Sequence, residues 1–248
     1  MCKSCIDSSL LRGPESPSRR TALGMMGALS LFGTFAATGV TYAKAPPKPE
    51  NVLSADQAIK RLVKGNERYT SGKSKIRSFA STRAVLAGGQ NPYASILSCA
   101  DSRVSPELCF DEERGDLFVA RVAGNYVTSD ILASLEYGVA VLSTPLIMVL
   151  GHTSCGAVSA AVSALEKQAE FPGHINNIVT ELMPAVRAAA AASHQGTLLQ
   201  AATIQNIKQN VQRLQESTPI LSRAVQSGQV KIVGGLYHLD TGRVELVA

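Results

Sequence analysis

The sequence predicts an α/β fold, a central and mostly parallel β-sheet flanked by helices. Short apolar runs alternate with segments of helical periodicity, the pattern of βαβ units. Apolar residues make up 45% of the 248 residues and charged residues 17%, which allows a large core and excludes a disordered or collagen-like chain. The length fits one substantial domain, and no internal repeat divides it.

The predicted elements begin with a helix that Ser54 can cap and that runs to about Tyr69, with Ala58, Leu62 and Val63 on one face. The run at 145–151 is apolar throughout, so this strand is predicted to be covered on both faces. The other predicted elements are strands at 93–99 and 117–122, a helix from 128 or 129 to about 142, a helix from about 155, helical segments between 175 and 215 that break near 194–196, a short helix after 219, a strand at 230–237 and an edge strand at 244–247.

The first 43 residues have the pattern of an export signal. Arg19 and Arg20 precede an uncharged, Gly/Ala-rich run that lasts until Lys44, and small residues precede a cleavage point after Ala43. Paired arginines before a weakly hydrophobic run are typical of the twin-arginine route. An uncleaved membrane anchor is the alternative, but the Gly, Ser and Thr content makes the run a poor one. We therefore expect an exported, periplasmic protein with no stable membrane anchor after cleavage.

The chain then divides into a signal at 1–43, a Pro-rich leader at 44–53 and one domain at 54–248. The formal net charge is +5, but basic residues are not concentrated in any block after residue 20, so no nucleic-acid partner is predicted. Cys2 and Cys5 belong to the signal, which leaves Cys99, Cys109 and Cys155. Three cysteines do not make a disulfide scaffold.

Two groups of reactive side chains follow predicted strands. Cys99 comes directly after one strand, and His152 and Cys155 follow another. Ligands of open α/β sheets bind outside the carboxyl ends of the strands, so the topology can bring both groups together. Two thiolates and an imidazole suit zinc in tetrahedral geometry and leave a fourth position for water. The residues thus predict a catalytic zinc site.

Asp101 and Arg103 lie close to the first predicted ligand in the sequence. The Asp101 carboxylate could itself fill the fourth position, whereas Arg103 can hold it away through a bidentate pair. The site then has an open and a closed arrangement. A lone cysteine after a buried strand is more often a small apolar residue, and Cys109 is interpreted in that way.

Four motifs make the sequence resemble the β-class carbonic anhydrases. They are Cys-Ala-Asp-Ser-Arg-Val at 99–104, Asp-Leu-Phe-Val-Ala-Arg-Val-Ala-Gly-Asn at 116–125, Ser-Leu-Glu-Tyr-Gly-Val at 134–139 and Gly-His-Thr-Ser-Cys-Gly-Ala at 151–157. The resemblance covers residues 54–248. It implies reversible hydration of carbon dioxide to bicarbonate and a proton, with one Zn²⁺ per subunit held by Cys99, His152 and Cys155. Asp101 and Arg103 would be the catalytic dyad that orients a zinc-bound hydroxide.

The resemblance also implies that the active site lies at the interface of a homodimer or a higher homo-oligomer. Gln90 matches a substrate-binding glutamine of the neighbouring subunit, and Phe118 and Tyr137 match aromatic residues that line the pocket there. The N-terminal helix would embrace the partner. A subgroup with a bicarbonate-regulated closed site carries a tryptophan where this chain has Ile96, although Arg121 matches that subgroup's arginine, so the open arrangement is expected near neutral pH.

Three alternatives remain at this stage. Close relatives of the family hydrolyse carbon disulfide or carbonyl sulfide on the same zinc site, and the predicted ligands do not separate these activities. A catalytically silent, zinc-stabilised interaction protein is the second alternative. The third is a redox protein that uses Cys99 and Cys155 as a disulfide pair and holds no metal.

Overall fold

The protein has a five-stranded β-sheet at its centre, with helices packed around it. The computed structural model describes residues 47–248, apart from the side chain of Phe79. The predicted signal and the first residues of the leader lie outside this range. The strands are β1 (Ala94–Ser98), β2 (Leu117–Arg121), β3 (Leu146–His152), β4 (Lys231–Tyr237) and β5 (Val244–Leu246). Their order is β2-β1-β3-β4-β5; the first four are parallel, and β5 runs antiparallel to β4 at the edge. The predicted mostly parallel sheet is therefore confirmed.

Helices flank this sheet in the predicted order. They are α1 (Ala55–Thr70), α2 (Phe79–Ala87), α3 (Pro106–Cys109), α4 (Ser129–Ala140), α5 (Gly156–Lys167), α6 (Ile175–Ala191), α7 (Leu198–Glu216) and α8 (Leu221–Gln226). Ser54 caps α1 as predicted, through a capping box with Gln57. Among residues 47–248, none of these helices combines the length and the apolar character that crossing a membrane requires.

The core lies on both faces of the sheet because alternate side chains of the central strands point in opposite directions. Leu97 of β1 and Val149 of β3 belong to a cluster that includes residues of α4 and α7. Their neighbours Ile96 and Met148 pack in a second cluster with residues of α1. All seven residues of β3 are buried, so the prediction that both faces of this strand are covered is confirmed.

Two helices were not predicted from the sequence. The α2 segment has no apolar stripe of helical spacing, and its residues are mostly exposed. The α3 helix is a single turn that begins at Pro106, where a proline fits because the first helical N–H needs no partner. Both lie between elements that the pattern did predict, so the predicted architecture is unchanged.

The parallel register of β1 and β3 positions the site. Ser98 pairs with Leu150, so the residue after β1, Cys99, lies beside the last residues of β3, which include His152. The polypeptide then turns through Thr153 and Ser154 into α5, for which Cys155 is the N-cap residue.

Candidate metal centre

The three predicted ligands meet at the carboxyl edge of the sheet. The Sγ atoms of Cys99 and Cys155 are 4.0 Å apart, and the possible ligand atoms of Cys99, His152 and Cys155 all lie within 4.8 Å of one another. The residues are 3%, 0% and 1% exposed, respectively. Neither thiol is in a disulfide. Cys99 and His152, which are 53 positions apart in the sequence, thus meet with Cys155 at one point of the folded chain.

The His152 ring is oriented for metal binding. Its Nδ1 lies 2.9 Å from the carbonyl oxygen of Thr153 and, because a carbonyl can only accept, this nitrogen carries the proton. The other ring nitrogen, Nε2, is buried and has no hydrogen-bond partner among the described residues. A backbone acceptor on one ring nitrogen and a free lone pair on the other is the usual arrangement of a metal-binding histidine.

The two sulfur atoms differ in their hydrogen bonding. The hydrogen bond from the Cys155 thiol lowers the pKa of Cys99 to about 4. The same hydrogen bond, together with burial, raises the pKa of Cys155. The backbone N–H of Gly124 also donates to Cys99 Sγ at 3.3 Å. Two sulfur atoms and an imidazole nitrogen around one point fit zinc, which takes sulfur and nitrogen ligands in tetrahedral sites.

Asp101 lies at the rim of this group and is held by Arg103. The Arg103 guanidinium donates from Nε to Oδ1 at 2.9 Å and from Nη2 to Oδ2 at 2.8 Å, and the Arg103 backbone N–H also donates to Oδ1. These bonds hold the pKa of the Asp101 carboxyl well below its usual range. Asp101 Oδ2 is 3.8 Å from His152 Nε2. The Asp101 carboxylate therefore lies next to the predicted ligands and is bound by Arg103.

Gln90, Phe118 and Tyr137 lie elsewhere in the same chain. Gln90 precedes β1, whereas the ligand Cys99 follows it, and a five-residue strand spans about 16 Å. Phe118 pairs with Ser95 near the beginning of β1, and its ring lies 6.1 Å from that of Tyr137. The ligands and these three residues thus occupy opposite ends of the strand.

Two contacts that build the site were not predicted from the sequence. The first is the Gly124 N–H at the Cys99 sulfur. The second is Arg121, whose guanidinium donates to the carbonyl oxygens of Cys99, Asp101 and Val104. Only the loop conformation creates these contacts, so no residue pattern could have revealed them. Cys109 is buried in the α1 side of the core, as interpreted from the sequence.

The fold and the buried Cys–His–Cys group define an α/β protein with a zinc-type site at the carboxyl edge of a parallel sheet. The profile of the family described as carbonic anhydrase matches residues 94–244. The chain is 39% identical over 191 residues to carbonic anhydrase 2 of Mycobacterium tuberculosis, a match that covers 76% of this chain and 91% of that one. The chain therefore belongs to the carbonic anhydrase family.

Solved structures place it with the β-class. The β-carbonic anhydrase CcaA superposes with a TM-score of 0.59 and 27% identity, covering 77% of this chain and 98% of the other. A Coccomyxa β-carbonic anhydrase, solved in complex with acetazolamide, gives a TM-score of 0.59 and 28% identity, covering 77% and 82%. The predicted β-class membership and fold are confirmed.

Proposed function

We propose that the protein catalyses the reversible hydration of carbon dioxide to bicarbonate and a proton, with zinc bound by Cys99, His152 and Cys155. The observation that carries this proposal is the buried Cys–His–Cys group beside an ionised, arginine-paired Asp101. A purely structural zinc site needs four closing ligands, and it has no use for a carboxylate that is held next to the metal.

The reaction requires a strong nucleophile near neutral pH, because carbon dioxide is a small and weakly polar electrophile. Zinc, when bound, supplies the Lewis acidity that makes water such a nucleophile. Asp101 can accept a hydrogen bond from the attacking oxygen and so direct a lone pair of that oxygen towards the substrate. Arg103 keeps Asp101 ionised and bound, so that this carboxylate would not compete with water for the zinc held by Cys99, His152 and Cys155. These two residues are the proposed catalytic dyad.

Gln90, Phe118 and Tyr137 are proposed to complete the site of a second subunit. They lie at the opposite end of β1 from the ligands of their own chain, and Tyr137 is 46% exposed, which leaves its ring available to a partner. Phe118 and Tyr137 would supply an apolar wall, and Gln90 a donor to the substrate oxygen that gains charge. The proposed assembly is a homodimer, or a higher homo-oligomer, in which α1 packs against the partner.

Export by the twin-arginine route to the periplasm is part of the proposal. It is supported by the paired arginines and the uncharged run within residues 1–43. The proposed mature protein then consists of the 44–53 leader and the 54–248 domain. Cell fractionation with an antibody to the domain tests this, because a cytoplasmic protein of unprocessed mass would contradict it.

Stopped-flow measurement of carbon dioxide hydration tests the function. Wild-type protein is compared with the variants Asp101→Asn and Cys155→Ser, and zinc is measured in each. Cys155→Ser should lose zinc and activity, whereas Asp101→Asn should keep zinc and lose activity about 100-fold or more, the range for removal of a general acid–base or positioning group. Glu181→Gln is the matched control, because this carboxylate is exposed and pairs with Arg213, between α6 and α7 and outside the proposed site.

The same preparations separate the alternatives. Hydrolysis of carbonyl sulfide or carbon disulfide without hydration of carbon dioxide would assign the related hydrolase activity. Bound zinc without any turnover would indicate a silent interaction protein. Metal-free protein with a reversible Cys99–Cys155 disulfide would indicate the redox function. Wild-type activity in Asp101→Asn would remove this residue from the mechanism.

A further inference from the structure

Arg121 binds the polypeptide that carries the first ligand and the dyad aspartate. It is the last residue of the edge strand β2 and pairs with Ser98, the last residue of β1. Its Nε donates to the carbonyl oxygen of Cys99 at 2.9 Å, and its Nη2 donates to those of Asp101 and Val104, both at 2.8 Å. One side chain therefore connects three points of the same six-residue loop.

The loop has little other regular structure to hold it. The loop follows β1 and precedes the single-turn helix α3. Two of its backbone N–H groups form hydrogen bonds to backbone carbonyl oxygens: Val104 N–H donates to Asp101, and Ala100 N–H donates to Val122. Because Arg121 binds carbonyl groups, its contacts fix the direction of the backbone at Cys99 and Asp101. The backbone direction in turn decides where the thiolate and the carboxylate point.

The geometry of the Arg121 contacts indicates that they serve position. Arg121 is exposed as a residue, but its hydrogen bonds to the carbonyl oxygens of Cys99 and Val104 are partly buried, where a carbonyl oxygen without a partner would be costly. The planar fork offers N–H groups in fixed directions, which is the property that allows one side chain to hold three carbonyls in a set arrangement. A lysine could reach one or two of them but could not reproduce that arrangement.

We propose that Arg121 is a positioning residue of the metal centre, which presets the Cys99–Val104 loop so that Cys99 faces the metal and Asp101 faces Arg103. This inference rests on the zinc site of the proposed function. It differs from a role in binding an anion, because the N–H groups of Nε and Nη2 are directed at backbone carbonyls of the loop that carries two site residues. An anion that bound through this edge of the guanidinium would have to displace that loop, so an anion-binding role would fall to the N–H groups of Nη1.

The experiment compares the full-length protein with the variants Arg121→Gln and Arg121→Lys. Arg213→Gln is the matched control, since Arg213 forms an exposed ion pair with Glu181 between α6 and α7. Circular dichroism verifies folding. The readouts are the rate of zinc release to a colorimetric chelator, the visible spectrum of the Co²⁺-substituted protein, and kcat and KM for carbon dioxide hydration.

Arg121→Gln should bind zinc about 10- to 100-fold more weakly than wild type, the range for losing a group that orients a metal ligand, and should release it correspondingly faster. Its Co²⁺ spectrum should change, because the Cys99 thiolate no longer has one fixed direction. The value of kcat should fall with little change in KM, and Arg121→Lys should recover part of each loss. Arg213→Gln should match wild type in all three readouts.

Wild-type zinc release and a wild-type Co²⁺ spectrum in Arg121→Gln would overturn the proposal. So would a variant that loses only its response to added bicarbonate, since this would assign Arg121 to anion binding. If Arg121→Gln does not fold, Arg121→Lys decides by the same readouts, and wild-type behaviour there overturns the proposal. Faster zinc release in a protein that shows no carbon dioxide hydration would support the positioning role and refute the proposed function.

Discussion

Substitution of Gly124 by alanine tests how tightly the metal centre is built. Gly124 has a φ of +88°, and an added Cβ would lie 2.9 Å from Leu182 Cδ1 and 3.3 Å from Ala157 Cβ. Leu182 is fully buried and cannot move its side chain into solvent. The left-handed backbone costs about 1–2 kcal/mol for a residue with a Cβ. The overpacking adds about 1–3 kcal/mol.

The free energy of unfolding of Gly124→Ala should therefore be lower than that of wild type by about 2–5 kcal/mol. Gly228→Ala is the matched control, because Gly228 has a φ of +73° and no atom within 4 Å of the added Cβ. The control should lose only the backbone contribution of about 1–2 kcal/mol. Urea unfolding at a fixed, saturating zinc concentration measures both variants, so that metal binding contributes equally.

The same substitution should affect the metal site. The Gly124 N–H donates to Cys99 Sγ, and a backbone shift that relieves the contact with Leu182 would move this donor away from the sulfur. Gly124→Ala should consequently release zinc faster than Gly228→Ala does. Equal stability and equal zinc release in the two variants would refute the reasoning, because only the packing around Gly124 distinguishes them.

Three further predictions concern the leader, the dyad and the interface. Lys48 forms a buried ion pair with Asp116, at 2.8 Å. Lys48→Met should lower the free energy of unfolding by about 2–3 kcal/mol, which is less than the full cost of breaking a buried ion pair because Arg61 still lies 3.2 Å from Asp116. Burial raises the pKa of Asp116, but hydrogen bonds, the largest from Lys48, outweigh burial, so that the pKa is lowered overall. The ionised Asp116 therefore stabilises the folded protein above its unfolded pKa of about 3.9, and this stabilisation is lost as the pH falls through the folded pKa. In urea unfolding, the difference in free energy between wild type and Lys48→Met should shrink below about pH 4. A crystal structure of the zinc-loaded protein above pH 8 should keep Asp101 on Arg103, and an Asp101 oxygen within about 2.2 Å of zinc would contradict this. Tyr137→Glu should weaken the proposed dimer, measured by sedimentation, and lower activity in parallel, whereas a fully active monomer would place the whole site in one chain.

The fold was largely predictable because its elements have distinct hydrophobic periods. The β3 run is apolar at every position, and the α7 segment begins with a Thr197 capping box and carries a regular apolar stripe. The α2 helix was not predictable, because its side chains are mostly exposed and no period marks a buried face. A helix can be predicted from its sequence when it packs against the core, because it then carries an apolar stripe with a period of about 3.6 residues.

The ligand set was also predictable, since cysteine and histidine after two parallel strands of one sheet must lie at the same edge. The contacts of Arg121 and Gly124 were not, because they depend on loop geometry, and a backbone N–H or carbonyl is present at almost every residue. Sequence reasoning treated Arg121 only as a match to an arginine of a related subgroup. In the structure, the Nε and Nη2 groups of Arg121 donate hydrogen bonds to backbone carbonyl oxygens of the Cys99–Val104 loop.

The distribution of the proposed site residues would make function depend on an assembly. One chain places the candidate ligands and Asp101 at the carboxyl end of β1 and places the proposed substrate-binding residues Gln90, Phe118 and Tyr137 towards the other end. No rotation of side chains can span about 16 Å of strand, so these groups act on one substrate only if a second chain supplies its amino-terminal end to the first. A symmetric dimer does this twice, because in such an interface each chain offers the same surface that it receives. Activity that falls on dilution, in step with dissociation and with zinc still bound, is the result expected from this arrangement.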